Sequence, residues 1–481
     1  MNFLDKAIAI FSPETAFKRA QANAALKVLD EHLNIRKYDA ASNSRRTANW
    51  QAPATSANRE LEFQLQTLRN RSRDIVRNNQ FGKKAMDVIK GNTVGTGIRP
   101  APWEDGQVEK RIKKLWAEWG EKTACDWDEQ LTFYGLQGLI IRTVAESGEC
   151  LILKRRVNNR NNPIQIQVLE PDYLDSYHTS FQIEPGQPFE FMGIAFDANG
   201  KRTGYWLYNN HPSDGFNYKS RFVPASDVIH IYLKERPGQA RGIPWGVQSF
   251  VKIRDLGEYQ DAQLIRQKIA ACFSVFVTTQ SGQTVLGNNS TDRLEKVEPG
   301  IIEYLSPGES VTMATPPPAE GYKEYTSAVL HEIAAGYGIT YEAMTGDYSQ
   351  VNFSSGRMGW IEMSRNIKDW QANMMVPMLC DKVWDWFIEG AIISGKIKRN
   401  VLVKWTPPRR EMIDPVKEVE GMASEVENGF TSWSEKVREN GYDPDDVIEE
   451  LKTDKQKFEQ AEMPVPWIKD KKPVQTIGNN Q

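Results

Sequence analysis

The sequence predicts an α+β protein built from more than one domain. Its 481 residues exceed what a single hydrophobic core usually organises. A content of 40% hydrophobic and 26% charged residues is typical of a folded globular chain. Short stretches of strand-like alternation between residues 149 and 233 lie between long segments of helical periodicity. We therefore expect a sheet-containing domain with helical regions on both sides of it in the sequence.

The first segment, residues 1–58, is predicted to hold one helix and a flexible arm. Ser12 is a good N-cap, and Pro13 suits the first position of a helix that continues to Asn34. Residues 40–58 are rich in Ala, Ser, Asn and Thr, a composition that favours a flexible connection.

Residues 59–244 are predicted to form the α+β domain. Helical periodicity predicts helices at about 59–77, 81–92, 107–119 and 133–147. Alternation predicts strands at 150–157, 164–169, 191–196, 203–208 and 228–233. The Asp-Ala-Asn-Gly run at 197–200 is typical of a hairpin turn.

Two helices, at 245–271 and 322–337, are predicted to bracket a small insert at 272–321. A helix of the first length would extend about 40 Å. Within the insert we expect strands at 273–278 and 301–304, separated by a Gly/Asn/Ser loop.

A polar loop at 340–357 precedes the longest helical pattern of the chain. Gly346, Gly356 and several serines favour a mobile backbone in the loop. The helix is expected from about Arg357 to Ile393, with a kink at Pro377, and a strand follows at 401–405.

The C-terminal region, residues 410–462, is predicted to hold charged helices at 415–427 and 444–460. Asp443, Asp445 and Asp446 favour a helix start over a metal site, since an Asp N-cap and acids in the first turn stabilise a helix. The Pro-rich, polar end at 463–481 favours disorder.

No catalytic, cofactor-binding or metal-binding residue is indicated by motif. The glycines at 91–97 have the wrong spacing for a phosphate loop and follow a helix rather than a strand. The five histidines show no metal-ligand spacing. A pair of acidic residues that binds the metals of a two-metal nuclease is not excluded by the sequence, because such ligands come together only in the folded structure.

The charge balance argues against a protein that grips DNA with its whole surface. Sixty basic and 63 acidic residues give a net charge of −3, whereas tight nonspecific DNA binders are strongly basic. One basic segment is more typical of a solvated helix face than of a DNA patch; it comprises Arg59, Arg69, Arg71, Arg73, Arg77, Lys83 and Lys84. The four cysteines are widely spaced, which predicts reduced thiols. The sequence contains no apolar run of 18 residues, so no membrane span is predicted.

Seven short sequence blocks stand out along the chain. They are Leu-Arg-Asn-Arg-Ser-Arg-Asp at 68–74, Arg-Asn-Asn at 77–79, Val-Gly-Thr-Gly-Ile at 94–98, Glu-Ser-Gly-Glu at 146–149, Leu-Glu-Pro-Asp at 169–172, Gly-Ile-Pro-Trp at 242–245 and the loop at 346–357. In this order they resemble blocks of the lambda-like family of tailed-phage portal proteins. The resemblance extends over about residues 68–405 and is weak outside them.

The resemblance implies a portal-type fold and a dodecameric ring at one capsid vertex. Double-stranded DNA would enter through the ring, driven by a separate terminase, and leave through it at infection. The implied parts are an α/β wing at 59–244 and 358–409, stem helices at 245–271 and 322–339, a β-rich clip at 272–321, a tunnel loop at 340–357 and a helical crown at 410–462.

The same resemblance implies the partners and the site. The partners are other copies of the chain, the terminase large subunit, a head-completion or connector protein, and major capsid and scaffold proteins, with no membrane. The protein would reside in the virion, and in the host cytoplasm during assembly. The DNA-channel residues implied are Tyr348, Asn352, Phe353, Ser354, Ser355 and Arg357.

Two other classes of protein compete with this interpretation. A metal-dependent DNA nuclease or terminase-like subunit needs clustered acids and, for a motor, a phosphate loop, and the sequence lacks the loop. A scaffold or adaptor that binds only proteins matches the composition but does not explain a polar loop joined to a long helix.

Overall fold

The structure is a computed structural model. It describes residues 49–50, 52–104, 106–158, 161–180, 186–215, 219–271, 275–279, 309–313, 321–409, 411–412 and 414–467, with a few helical residues between 14 and 26. The chain divides into two compact units, Met1–Ser56 and Ala57–Gln481. Most of the expected N-terminal helix and arm, most of the insert at 272–321 and the tail after residue 467 lie outside the described residues. No helix in the described ranges is long and apolar enough to span a bilayer.

Within residues 57–148, five helices precede the main sheet in the described part of the chain. They are α1 (Ala57–Leu61), α2 (Leu65–Asn78), α3 (Gln80–Thr93), α4 (Gln107–Trp119) and α5 (Phe133–Ser147). The predictions for α4 and α5 are confirmed to the residue, whereas the single helix expected over 59–77 is interrupted at 62–64. Asn79 separates α2 from α3 because its side chain accepts from the amides of Phe81 and Gly82.

Two antiparallel sheets form the centre of this region. The first has the order β3-β2-β8, with β2 at Glu149–Arg156, β3 at Ile164–Leu169 and β8 at Val228–Tyr232. The second is a meander of β4 (Phe189–Phe191), β5 (Ile194–Phe196), β6 (Arg202–Tyr208) and β7 (Ser220–Pro224).

The single strand predicted at 191–196 is wrong. Met192 and Gly193 adopt φ values of 46° and 83°, and this left-handed pair folds the segment into the β4–β5 hairpin. The hairpin turn predicted at Asp197–Gly200 is confirmed, since the amide of Gly200 donates to the carbonyl of Asp197 between β5 and β6.

Strand β7 was not predicted. Strand β1 (Arg99–Trp103) was also not predicted, because Pro100 and Pro102 weaken the strand signal. It pairs only with β11 (Leu402–Thr406), so each strand of this two-stranded sheet is an edge and the missing proline N–H groups are tolerated.

The two bracketing helices are α6 (Phe250–Ala271) and α7 (Tyr322–Tyr337). Helix α6 begins five residues later than predicted because Gly246 is left-handed, with φ at 71°. The two helices contact each other through Tyr259, which lies against the rings of Tyr322 and Tyr325. In the insert, β9 (Val275–Thr279) pairs with β10 (Glu309–Met313), while the strand predicted at 301–304 lies outside the described residues.

A short helix, α8 (Tyr341–Thr345), lies in the segment predicted as the polar loop. The long helical pattern forms α9 (Phe353–Asp369), a π-helical stretch (Trp370–Cys380) and α10 (Asp381–Ile393). The break expected at Pro377 is this π-helical stretch. Proline donates no hydrogen bond and its ring collides with the carbonyl four residues earlier, so a wider turn relieves both problems.

The C-terminal helices are α11 (Pro415–Glu427), α12 (Trp433–Glu439) and α13 (Pro444–Gln460). The predictions for α11 and α13 are confirmed, each with an Asp N-cap and Pro at the first position. Helix α12 was not predicted, since seven residues carry too short a periodic pattern.

The main core joins the helices to β11 through aromatic rings. Trp116 packs against Phe133, Trp384, Phe387 and Trp405, with ring centroids 5.1 to 6.4 Å apart. A smaller core lies between the two central sheets. Among the described cysteines, Cys125, Cys150 and Cys380 are buried free thiols; Cys272 lies outside the described residues.

Candidate functional site

The polar loop is shorter than the predicted 340–357 span. Its first part is helix α8, capped by Thr340, whose hydroxyl accepts from the amide of Ala343. Gly346 ends α8 in a left-handed conformation, with φ at 73°. Helix α9 then starts at Phe353, four residues before the predicted start, which leaves residues 347–352 as the loop proper.

Asn352 and Ser355 form a capping box at the start of α9. The Asn352 Oδ1 accepts from the Ser355 amide at 2.8 Å, and the Ser355 Oγ accepts from the Asn352 amide at 3.0 Å. Residues 354–356, which were expected in the loop, therefore lie in the first turn of a capped helix.

The six predicted channel residues nevertheless lie together at one end of α9. Tyr348 is 63% exposed in the loop and Phe353 is 56% exposed at the first helical position. Ser354 and Arg357 are also exposed, while Asn352 and Ser355 hold the helix end. Exposed aromatic rings on a short loop are a common feature of contact surfaces.

The base of the loop is fixed to two helices. The ring of His331 on α7 stacks on Tyr341, with centroids 4.0 Å apart. The Tyr341 hydroxyl donates to the Asp347 carboxylate at 3.3 Å, and the Asn366 side chain of α9 donates to the Gly338 carbonyl at 3.0 Å. The loop therefore has an anchored base and an exposed tip.

A second feature, which the sequence analysis missed, is a buried charge cluster centred on Glu149. The Glu149 carboxylate is fully buried and accepts from the guanidinium groups of Arg69 and Arg241, each at 2.9 Å. It also accepts from the Gly242 amide at 2.8 Å and contacts the His230 Nε2 at 2.9 Å. All of its acceptor positions are thus directed at donors.

The cluster continues from Arg69 to the surface. Arg69 lies 3.5 Å from the Asp172 carboxylate, and Arg73 contacts both Asp172 and Glu170. Arg69 and Arg73 were expected on a solvated helix face, and that expectation is wrong for both. Four of the sequence blocks that carry the resemblance meet in this cluster: those at 68–74, 146–149, 169–172 and 242–245.

A signal for the cluster was present in the sequence. Glu149 directly precedes the apolar run Cys-Leu-Ile-Leu at 150–153, so its strand is buried on both faces. A carboxylate in such a strand needs cationic partners, because an unpaired buried charge is strongly unfavourable. Sequence alone does not show which arginine supplies the charge.

The positive charges of the cluster oppose the effect of burial on the pKa values of its two carboxyl groups. Burial by itself would raise the pKa of Glu149, but Arg241 and His230 outweigh it and hold that pKa well below its ordinary value. In the same way, Arg69 and Arg73 outweigh burial and lower the pKa of Asp172 to about 2. Burial lowers the pKa of His230 to about 4 despite the neighbouring Glu149.

The contacts of His230 assign its tautomer. Its Nδ1 lies 3.2 Å from the Arg202 guanidinium, which can only donate, so Nδ1 accepts. The proton of the neutral ring is then on Nε2, which donates to Glu149.

We expect the free energy of unfolding to fall in two steps as the pH is lowered. His230 has a folded pKa of about 4, below its unfolded value of 6.5, so its contribution is present above pH 6.5 and is lost as pH falls toward 4. Asp172 and Glu149 also have lowered pKa values, so their contributions are lost at still lower pH. Urea unfolding at pH 7.5, 5.5 and 4.5 should show the first loss, up to about 3 kcal/mol.

The matched control is His230→Gln, which keeps an N–H donor near Glu149 and does not titrate. Its free energy of unfolding should be nearly constant between pH 7.5 and 4.5. A pH dependence equal to that of the wild type would contradict the role assigned to His230.

Gly242 permits a close backbone contact beside the cluster. A Cβ atom at this position would lie 2.1 Å from the Gly148 carbonyl oxygen. We expect Gly242→Ala to destabilise the protein by about 2 kcal/mol or more. By contrast, Gly257→Ala on α6 meets nothing within 4 Å and should stabilise by up to about 1 kcal/mol. Thermal unfolding of both variants measures the difference, and equal midpoints would contradict the steric argument.

Glu170, Asp172 and His211 carry potential metal-ligand atoms within 4.8 Å of one another. Both carboxylates also face arginines, which already supply the positive charge. The geometry therefore favours a structural role for these acids.

Comparison with known proteins shows which family this chain belongs to. A sequence model of the family described as "Phage portal protein, lambda family" matches residues 43–371, more than two thirds of the chain. The probable portal protein of Halomonas phage phiHAP-1 is 24% identical, with 94% of this chain and 92% of that protein covered. Portal protein B of Escherichia phage lambda is 21% identical, with coverage of 83% and 85%.

Among solved structures, a chain in the virion of a native gene transfer agent particle overlaps with a TM-score of 0.47 and 16% identity, covering 79% of this chain and 94% of that chain. A portal protein of the HK97 family from Corynebacterium diphtheriae overlaps with a TM-score of 0.35 and 11% identity, with coverage of 73% and 97%.

The α+β architecture and the family match together define a phage portal protein. The chain belongs to the lambda family of these proteins. Packaging and ejection of the phage genome are the roles typical of portals. The predicted fold class and the predicted family are both confirmed.

Proposed function

We propose that twelve copies of this chain form a ring at one capsid vertex, and that double-stranded DNA passes through its channel during packaging and ejection. The observation that carries the proposal is the family match, which includes the loop and α9 up to residue 371. At that end of α9, Tyr348 and Phe353 expose their rings on an anchored base. The chain itself acts as a conduit and not as an enzyme.

We assign the contacts with DNA to Tyr348, Phe353, Ser354 and Arg357, with Asn352 and Ser355 holding the helix start. Residues 346–356 contain no lysine or arginine, so Arg357 is the first cation after the loop. Contacts from aromatic and hydroxyl groups are weak compared with those of several cations on phosphates. Weak contacts suit a polymer that must keep moving.

The other parts are assigned by their position in the chain. Residues 59–244 and 358–409 form the wing, α6 and α7 the stem, 272–321 the clip and 410–462 the crown. The clip is the proposed contact for the terminase large subunit and, later, for the head-completion protein. Major capsid and scaffold proteins are further proposed partners. The ring is proposed to reside in the virion, and to be in the host cytoplasm during assembly.

The charge of the chain fits this role. A net charge of −3 per chain corresponds to −36 for twelve copies. A negative field around the ring discourages lasting attachment of a moving polyanion.

We expect the purified protein to assemble into closed rings without nucleotide or metal. Native mass spectrometry should show one large oligomer, and negative-stain images should show a ring with a central hole. A stable monomer with nuclease activity that requires a divalent metal would favour the competing class of enzyme.

A further inference from the structure

A recess beside the core of the two central sheets is lined by two arginines, one half-buried and one exposed. Arg155 on β2 lies opposite Gln165 of β3 in the strand register, and Arg221 on β7 lies opposite Leu207 of β6. Both arginines line one cavity of about 170 Å³, with Gln167, Tyr173 and Asn209 beside them. Its apolar floor consists of Leu153, Leu169 and Leu207.

Arg155 is held in place without a carboxylate. Its Nε donates to the Gln167 Oε1 at 2.8 Å, and its guanidinium lies 5.2 Å from the centre of the Trp127 ring. These contacts fix the group but leave its charge uncompensated. Burial and then the positive charge of Arg221 lower the pKa of Arg155.

The neighbouring cations on the same strand are paired. Lys154 lies 3.1 Å from Asp227 and 2.9 Å from Glu389, and Arg156 contacts the same two acids. Within the described part of the chain, no carboxylate oxygen lies within 4 Å of a guanidinium nitrogen of Arg155 or Arg221. Arg155 is half-buried and Arg221 is exposed, so water screens part of their repulsion. A bound anion would neutralise the charge that remains.

We propose that this recess is a binding site for a phosphate group, held between the guanidinium groups of Arg155 and Arg221. The side chains of Gln167, Tyr173 and Asn209 offer further hydrogen-bonding groups. These groups come from several elements on different sides of the recess, which suits a tetrahedral oxyanion better than a planar carboxylate. Two guanidinium groups also match the charge of a phosphate dianion.

The test is a titration of the full-length protein with inorganic phosphate, followed by calorimetry and by thermal unfolding at matched ionic strength in chloride. The wild type should bind phosphate and unfold at a higher temperature in its presence. Arg221→Ala should weaken binding roughly tenfold or more, because one charge-assisted contact is lost. Its unfolding temperature without phosphate should not fall, because the substitution removes repulsion.

Arg71→Ala is the matched control, since it removes an exposed guanidinium on α2 outside the recess. It should bind phosphate like the wild type. Gln167→Leu provides a second variant that removes a polar group of the recess and leaves both cations in place; it too should bind phosphate more weakly.

Unchanged phosphate affinity in Arg221→Ala would overturn the proposal, as would acetate binding as tightly as phosphate. A drop in the phosphate-free unfolding temperature of Arg221→Ala would also overturn it, because it would show that Arg221 has a structural partner. A short DNA duplex, added as competitor, distinguishes the source of the phosphate group: competition indicates a polynucleotide backbone, and its absence indicates the free ion.

Discussion

Replacing Glu149 by alanine is expected to lower the free energy of unfolding by about 3–5 kcal/mol, the largest effect of any single substitution considered in this protein. The substitution leaves Arg69 and Arg241, both essentially without solvent exposure, with uncompensated charge. It also removes the acceptor for the Gly242 amide and for His230. Urea unfolding followed by circular dichroism at pH 7.5 measures the change.

The matched control is Glu258→Ala. Glu258 pairs with Arg254 on the surface of α6 at 3.0 Å, with both side chains largely exposed. Loss of such a pair should change stability by no more than about 0.5 kcal/mol. Comparable losses from the two substitutions would show that burial of the cluster does not determine its importance.

The second large effect is expected in assembled particles. The double substitution Tyr348→Ser with Phe353→Ser removes both exposed rings at the end of α9 and leaves the Asn352–Ser355 capping box intact. Rings and empty capsids should form normally, because neither ring is buried in the chain. The yield of DNA-filled, infectious particles should fall several-fold, since the proposed contacts with the passing DNA are lost.

Two controls separate contact from folding. Tyr177→Ser removes an aromatic ring that is 94% exposed elsewhere and should leave the yield of filled particles unchanged. Asn352→Ala removes the cap and costs about 1 kcal/mol of helix stability while both rings remain. If the double substitution yields as many filled particles as Tyr177→Ser, the loop does not contact DNA in a way that matters for packaging.

Elements whose signals are local in the sequence were predicted well. Helices α11 and α13 each begin with Asp-Pro, and α4 and α5 have long periodic patterns, so cap chemistry and amphipathic spacing sufficed. The same local logic explains the error at Asn352. Serines and a glycine suggested a mobile loop, but the Asn352 and Ser355 side chains satisfy each other's backbone amides and extend the helix through them.

Elements that depend on distant partners were missed. Strand β1 contains two prolines, and only its pairing with β11, about 300 residues later, makes it a strand. The charge cluster joins Arg69, Glu149 and Arg241, which are far apart in the chain. The blocks that resemble the portal family were recognised as short motifs in sequence order. Their order does not show that four of them meet around the Glu149 carboxylate.

The sequence by itself determined the α+β class, the family, most helix bounds and the position of the candidate loop, because these follow from periodicity, capping residues and ordered motifs within short windows. The tertiary structure decided which charges are buried together, where the loop ends and α9 begins, and which arginines line one recess without a carboxylate. The physical reason is that electrostatic energy and burial depend on distances in space, and charged residues separated by 80 to 103 positions are brought within 3.5 Å of one another only by the packed tertiary structure.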